Sequence, residues 1–209
     1  METNNSESLL QFAGTVKGYM NEAEGLKLFD LALEAAAIGP CLEIGSFCGK
    51  STVYIGAACK NKETTLFTID HHRGSEEQQP GQLYFDPEIY DERTGRVDSL
   101  PLLRRTLEKA GLEDTVVPMI TFSRVAVKNW ATPLSMVFID GGHSYETALT
   151  DYRCWAPHLL KDGYLVFHDI YPDPSQGGQA PYEVYRLASR SGAFLELPML
   201  GSLGILRKR

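Results

Sequence analysis

Cys41-Leu42-Glu43-Ile44-Gly45-Ser46-Phe47-Cys48-Gly49-Lys50-Ser51 decides how this 209-residue chain is read. An apolar strand carries an acid near its end, a glycine turn follows, and a helix begins. Gly45 and Gly49 let the backbone turn tightly and approach a ligand, because neither has a Cβ in the way. The first N–H groups of the helix face the same space and favour an electron-rich partner. Glu43, however, sits where a phosphate would tolerate no negative charge. An acid at that strand tip suits a ligand bearing a cation, either an amino group or a sulfonium.

Two other glycine-loop readings fail on spacing. A Walker A loop needs four residues between its first glycine and Gly-Lys-Ser. Here Ser46, Phe47 and Cys48 alone separate Gly45 from Gly49-Lys50-Ser51, and Ile44 stands where the glycine belongs. The dinucleotide fingerprint G-x-G-x-x-G fails at Phe47, which takes its middle glycine position. The combination points toward S-adenosylmethionine; an ordinary strand-to-helix turn without a ligand is the plain alternative.

Composition bounds the rest. A chain of 209 residues, 43% apolar and 22% charged, fits one soluble domain over residues 1–209 with a substantial core. No apolar run reaches membrane-span length, and Met1 to Glu7 is polar and acidic, unlike a signal peptide, so a cytoplasmic location is expected. The four cysteines show no CxxC spacing, and Cys41, Cys48 and Cys59 read as small buried hydrophobes. A net charge of −7 argues against a nucleic-acid backbone as substrate, and Arg207-Lys208-Arg209 reads as a solvated end. A small-molecule acceptor is expected.

Strands and helices alternate. Glu22 to Ala37 has helical spacing, with Leu26, Phe29, Leu33 and Ala37 on one face, within a helical N-terminal segment 1–38. Ser51 to Lys60, Ser99 to Ala110, His143 to Leu160 and Pro181 to Ser191 also read as helices, with Ser99 as an N-cap and Gly111 just past its helix. Further strands fall at Thr64 to Asp70, Thr115 to Thr121, Leu134 to Asp140 and Tyr164 to Asp169. Phe194 to Leu197 and Leu203 to Leu206 pair as a hairpin through Leu200-Gly201-Ser202. The expectation is a doubly wound α/β fold, its parallel sheet ending in an antiparallel hairpin.

In such sheets ligands bind outside the carboxyl ends of the strands. Those ends are polar here: Glu43, then Asp70-His71-His72, then Asp140-Gly141-Gly142-His143, then His168-Asp169. Four of the five histidines fall at these ends, and His158 alone does not. Each residue has a structural reading of its own, Asp70 as a turn cap and Gly141-Gly142 as a bend. Their convergence on one edge marks that edge as the active site. A carboxylate at Asp70, one strand over from the glycine loop, can accept both hydroxyls of a ribose. Ser123, just past the third strand, is placed to reach an adenine edge.

The run Met136-Val137-Phe138-Ile139-Asp140-Gly141-Gly142-His143-Ser144-Tyr145-Glu146, followed by Asp151, Trp155 and Leu159, leads into Gly163-Tyr164-Leu165-Val166-Phe167-His168-Asp169. Together with the Glu43-x-Gly45 loop and Asp70, it resembles the class I S-adenosylmethionine-dependent methyltransferases. The likeness is to the branch that holds metal-dependent O-methyltransferases of sugars and small natural products. It covers roughly Gly39 to Asp169 and implies a Rossmann-like, mostly parallel seven-stranded sheet. The resemblance further implies that Glu43, Gly45, Ser46, Phe47, Gly49, Lys50 and Ser51 cradle the methionine part of S-adenosylmethionine, with Asp70 and His71 near the ribose and Ser123 and Asp140 completing the pocket. It implies Asp140, His168 and Asp169 as ligands of a divalent cation, magnesium or manganese. His168 departs from the acid that relatives carry there. A histidine either weakens magnesium binding or favours manganese, iron or zinc. The other alternative is catalysis without a metal, in which Asp140 lines the site and His143 or His168 acts as general base.

Residues 71–98 form an insert far longer than the usual connection between such elements. Tyr84, Phe85 and Tyr90 argue against plain disorder, and Arg73, Arg93 and Arg96 offer charge to an anionic or hydroxylated acceptor. It reads as a lid, with a packed surface excursion or a homo-oligomer contact as the alternative. Tyr171 to Ala180 supplies the opposite wall. Methyl transfer to an oxygen of a small molecule is the leading expectation. A metal-dependent hydrolase would leave Glu43 and Asp70 without a role, and a non-catalytic S-adenosylmethionine-binding protein would bind donor without turnover.

Overall fold

A strand with apolar residues on both faces must be covered twice, and the chain meets that demand with helices on each side of one sheet. The computed structural model describes residues 3–209. The first two residues of the polar Met1 to Glu7 stretch lie outside it.

Helices α1 (Thr3–Thr15) and α2 (Glu22–Ala36) precede strand β1 (Cys41–Ile44) and helix α3 (Lys50–Asn61). Strand β2 (Leu66–Ile69) leads into the insert, which holds a short ribbon of β3 (Tyr90–Asp91) and β4 (Arg96–Val97). Then come α4 (Leu100–Ala110), β5 (Val116–Met119), the one-turn α5 (Ser123–Ala126), β6 (Leu134–Ile139) and α6 (Tyr145–Trp155). Strand β7 (Leu159–Phe167), α7 (Ala180–Ser189), β8 (Phe194–Leu200) and β9 (Leu203–Lys208) complete the chain.

The sheet order is β5-β2-β1-β6-β7-β9-β8. Its first five strands are parallel, and β9 enters antiparallel between β7 and β8. The chain steps outward from β1 to β2 to β5, then returns to lay β6 on the other side of β1. Connections therefore leave β1 and β6 in opposite directions, which opens a crevice at their carboxyl ends. Alternation along β6 shows the double coverage. Met136 and Phe138 join the core under α1 to α4, while Val137 and Ile139 join the core under α6 and α7.

Two expectations are corrected. The buried face of α2 is Glu24, Gly25, Leu28, Leu31, Ala32, Ala35 and Ala36, while Leu26 and Ala37 are exposed and Phe29 and Leu33 only half-buried. Small residues win because α2 lies hard against α3: a Cβ on Gly25 would stand 2.3 Å from the Tyr54 ring. The expected helix His143 to Leu160 stops at Trp155, before Pro157, and Leu159 already pairs with Leu134 of β6. Pro157 cannot supply the N–H that a longer helix needs. The fifth parallel strand thus begins at Leu159, with an irregular register before Tyr164 meets Met136.

Alanine normally stabilises a helix interior over glycine by about 1 kcal/mol. At Gly25 the overpacking against Tyr54 should reverse that sign, and Gly25→Ala should destabilise the chain by about 1–3 kcal/mol. Urea denaturation of the two proteins measures it; equal or greater stability of the variant would show that the α2–α3 contact is slack.

Candidate active site at the carboxyl edge of the sheet

The loop after β1 is built around close approach. Gly45 N–H donates to Ile69 O of β2, and a Cβ on Gly45 would lie 2.0 Å from the Asp140 carbonyl oxygen at the end of β6. Only glycine fits between those two strand ends. Phe47 takes φ 46°, Gly49 takes φ 97°, and α3 starts with no side-chain cap. Its first N–H groups are thus free for a ligand.

Asp70 secures the loop. Its Oδ2 accepts from Phe47 N–H at 2.8 Å and its Oδ1 from His72 N–H at 2.7 Å. Each oxygen keeps a second lone pair. The His71 ring lies against Phe122, centroids 4.7 Å apart, with the Arg124 guanidinium 4.4 Å over the other ring. His72 is buried, and its Nδ1 meets the Ser99 hydroxyl at 2.8 Å. Ser99 therefore spends its side chain on His72, and Asp98 caps α4 by accepting from Leu100 N–H.

Glu43 lies inside β1, one residue short of the tip, and is fully buried. Its Oε2 accepts from Thr52 at 2.6 Å and Thr68 at 2.7 Å. Its Oε1 and the buried Ser46 Oγ have no partner. Burial pushes the Glu43 carboxyl up to about 7, against the pull of its hydroxyl donors. Two unpartnered polar atoms beside an uncapped helix are what a ligand with an amine and a carboxylate would satisfy. Lys50 and Ser51 open α3, with Ser51 buried and Lys50 packed beside Gly18.

Across the crevice, acids and imidazoles interlock. His143 Nε2 stands 3.0 Å from Asp169 Oδ2, and its Nδ1 stands 3.1 Å from Glu77 Oε2 of the insert. His168 Nδ1 lies 3.1 Å from Asp140 Oδ1 and 3.4 Å from Asp169 Oδ2, while its Nε2 faces Glu24 Oε2 at 3.4 Å. Asp169 holds φ 57°, and Tyr171 donates to its Oδ1 at 3.1 Å. The bond to Asp169 raises His143 to about 9 despite burial. Burial opposes charge on His168, but its three carboxylates outweigh this and keep it an imidazolium. Asp169 is likewise held well below the usual carboxylate range by both imidazoles, against its burial. Asp140 moves the other way, because burial outweighs His168.

The edge expected from sequence is thus assembled, with two exceptions and three additions. Glu43 is enclosed beneath α3, and Ser123 turns away, its Oγ accepting from Trp155 Nε1 at 2.7 Å beside the buried Asp151. Glu24, Glu77 and Tyr171 carried no sequence signal for this role. Glu24 accepts from Ser202 N–H at 2.6 Å and from Ser202 Oγ at 2.9 Å, and these bonds with that of His168 hold it at about 2 despite burial. A capping-box pattern, Asn21 to Glu24, is visible in the sequence, but it explains Glu24 as a helix cap and hides its reach to His168.

Fold and site together define a methyltransferase. The chain belongs to the Methyltransf_24 family, a methyltransferase domain, which matches residues 42–170. Its fold is shared by the O-methyltransferase NovP, at 13% identity and TM-score 0.69 over 100% of this chain and 99% of that one. An O-methyltransferase from Bacillus cereus, in complex with S-adenosylhomocysteine (SAH), aligns at 15% identity and TM-score 0.64 over 98% and 91%. TomG from Streptomyces achromogenes, an O-methyltransferase involved in tomaymycin synthesis and in complex with S-adenosylmethionine, aligns at 17% identity and TM-score 0.63 over 98% and 88%.

Glu43 leaves a thermodynamic mark. Its folded carboxyl at about 7 lies above the unfolded value, so it weakens stability as pH rises from about 4.5 to 7, with the loss complete above that window. Glu43→Gln should remove this loss, gaining about 3 kcal/mol at pH 8 relative to its value at pH 4. Denaturation midpoints of both proteins across pH 4–8 test it; parallel profiles would mean Glu43 is charged and solvated by another route.

Proposed function

We propose that this enzyme transfers the methyl group of S-adenosylmethionine to a hydroxyl oxygen of a small molecule. The observation that carries the donor is the glycine loop, where an uncapped helix start lies beside two acids, Glu43 and Asp70. The helix N–H groups suit the donor's carboxylate, the acids suit its ammonium and ribose hydroxyls, and a phosphate would be repelled. Ser46 Oγ, without a partner at the loop, is the side-chain atom placed nearest the methionine end, while the enclosed Glu43 contributes its charge from behind α3. His71 and Phe122 offer aromatic faces beside Asp70, where the base would lie. Oxygen as acceptor is supported by the chemistry of the neighbours with this fold.

In the reaction the acceptor oxygen forms a bond to the methyl carbon as the carbon–sulfur bond breaks, and the hydroxyl proton leaves. Neither histidine is a free base at neutral pH, since both nitrogens of each face carboxylates. Asp140 is the better base: burial raises its proton affinity, and His168 engages Oδ1, which leaves Oδ2 for the hydroxyl. The residues present also fit a divalent cation at Asp140 and Asp169, which when bound would lower the pKa of the acceptor hydroxyl. The rest of the catalysis is alignment and exclusion of water.

The insert 71–98 serves as the lid. Its root is packed, with Ile89 and Val97 against Cys48 of the glycine loop. Its tip is held by few contacts: Glu77 to His143, Tyr84 edge-on to Tyr19 at 5.6 Å, and Lys17 paired with Asp86 and Glu88 behind it. Leu83 is 86% exposed. The hollow lined by Gly142, His143, Phe167 and Pro181 is about 10 Å³, too small for an acceptor. A helix long and apolar enough to cross a membrane is absent among the described residues. Four free cysteines accord with a cytoplasmic enzyme. The net charge of −7 speaks against a nucleic-acid partner and for a small-molecule one.

Asp70→Ala should weaken SAH binding about ten- to a hundred-fold, through loss of both the ribose acceptor and the Phe47 clamp. Calorimetry with SAH reads it, and wild-type affinity in the variant would overturn the donor site. Limited proteolysis should cut first within residues 76–86 and slow when donor and acceptor are added. Tyr84→Ser with Phe85→Ser should depress acceptor turnover far more than donor affinity. A tip already resistant alone, or substitutions that unfold the chain, would make the insert a structural element.

A further inference from the structure

We propose that the connection between α1 and α2, residues 16–20, is the latch of the insert: it sets how fast small molecules exchange at the working edge without setting how tightly they are held. The inference rests on the reading of residues 71–98 as a lid and gives the N-terminal segment a part in turnover. The connection is a fixed post. Val16 and Met20 are buried at its two ends. Between them Gly18 lies flush on α3, where a Cβ would stand 2.9 Å from Lys50 Cβ. Lys17 and Tyr19, on either side of Gly18, are left to meet the insert, with Tyr19 64% exposed.

The insert reaches that post at its hinge. Ile89 is buried against Cys48 at the root, and Leu83 is exposed at the tip. Asp86 and Glu88 lie between them and bracket Pro87, with Asp86 Oδ1 accepting from Glu88 N–H at 2.9 Å. The Lys17 ammonium pairs with both carboxylates at once. One cation on two acids astride a proline fixes the angle at which the tip leaves its root. The tip is a folded unit of its own, in which Gln79 Nε2 donates to the carbonyls of Arg73, Gly74 and Ser75, and Tyr84 N–H donates to Glu77 O. It therefore swings as one body. Tyr19 is its seat: the ring meets Tyr84 edge-on at 5.6 Å and stacks on Phe47 of the glycine loop at 6.1 Å. A contact made in the closed form with and without ligand cancels from the binding equilibrium and remains in the opening rate.

The test compares the full chain with Lys17→Ala, Lys17→Arg, and Asp86→Asn with Glu88→Gln. Without ligand, limited proteolysis within residues 76–86 should quicken about three- to ten-fold in Lys17→Ala and in the double variant, and return toward wild type in Lys17→Arg. Joining Lys17→Ala to the double variant should add nothing further. High salt should quicken the wild-type cut and leave Lys17→Ala unmoved, since Glu88 is 73% exposed and the pair is open to screening. In stopped-flow binding of SAH, Lys17→Ala should raise association and dissociation rates by the same factor, with Kd held within two-fold. Unchanged cutting and exchange rates in a folded Lys17→Ala protein would overturn the latch. So would a weaker Kd with an unchanged association rate, which would make Lys17 a ligand-holding residue. Failure of the wild type to bind SAH would count against the donor reading, and the ligand-free cutting rates would still decide the latch.

Discussion

Everything at the working edge depends on how closely β1 and β6 end side by side. The Asp140 carbonyl occupies the space where a side chain at position 45 would begin, 2.0 Å from that imaginary Cβ. This one contact places the turn that leads to α3 directly against the strand end that carries Asp140. The separation between donor loop and acid cluster is thereby set by backbone, which deforms far less readily than side chains. Gly45 also bonds back to β2, so three neighbouring strand ends are fixed with respect to one another. Strained φ angles at Phe47, His72 and Asp169 all fall on this rim, where rigid neighbours can sustain them.

Charge is the second organising feature. Glu24, Glu43, Asp70, Asp140 and Asp169 crowd one edge of the sheet, with His143 and His168 as the cations among them. A buried carboxylate is costly unless paired, and each copes differently. Glu24 and Asp169 keep full charge by ion pairing, while Glu43 leans on threonine hydroxyls and holds its proton more tightly. Such an edge favours a cationic group over a phosphate on charge alone.

The fold was legible because periodicity and glycine placement are local. Strand-helix alternation, the Gly45 and Gly49 turn and the hairpin at Gly201 each follow from a few adjacent residues. The acids and histidines at strand ends were legible for the same reason, since the sheet rule brings them to one side. What escaped is contact across the chain. Nothing near Glu24 predicts a bond to Ser202, 178 residues away, and nothing in the insert marks Glu77 as the partner of His143. The face of α2 was misread because hydrophobicity favours Leu26 and Phe29, whereas close packing on Tyr54 selects Gly25 and the alanines. The fifth parallel strand began early because Leu159 and Leu160 are equally at home in helix or strand, and only Pro157 and the pairing to Leu134 decide.

Glu24 ties the second helix to the far end of the chain. The carboxylate that steadies His168 is itself seated on the turn between the last two strands, where Gly201 must lack a side chain because Glu24 Oε1 is 2.4 Å from its would-be Cβ. An early helix and a late hairpin therefore meet at the buried His168 imidazole. A chain shortened before residue 201 would lose both Ser202 bonds to Glu24, and with them the support for the carboxylate that faces His168 Nε2.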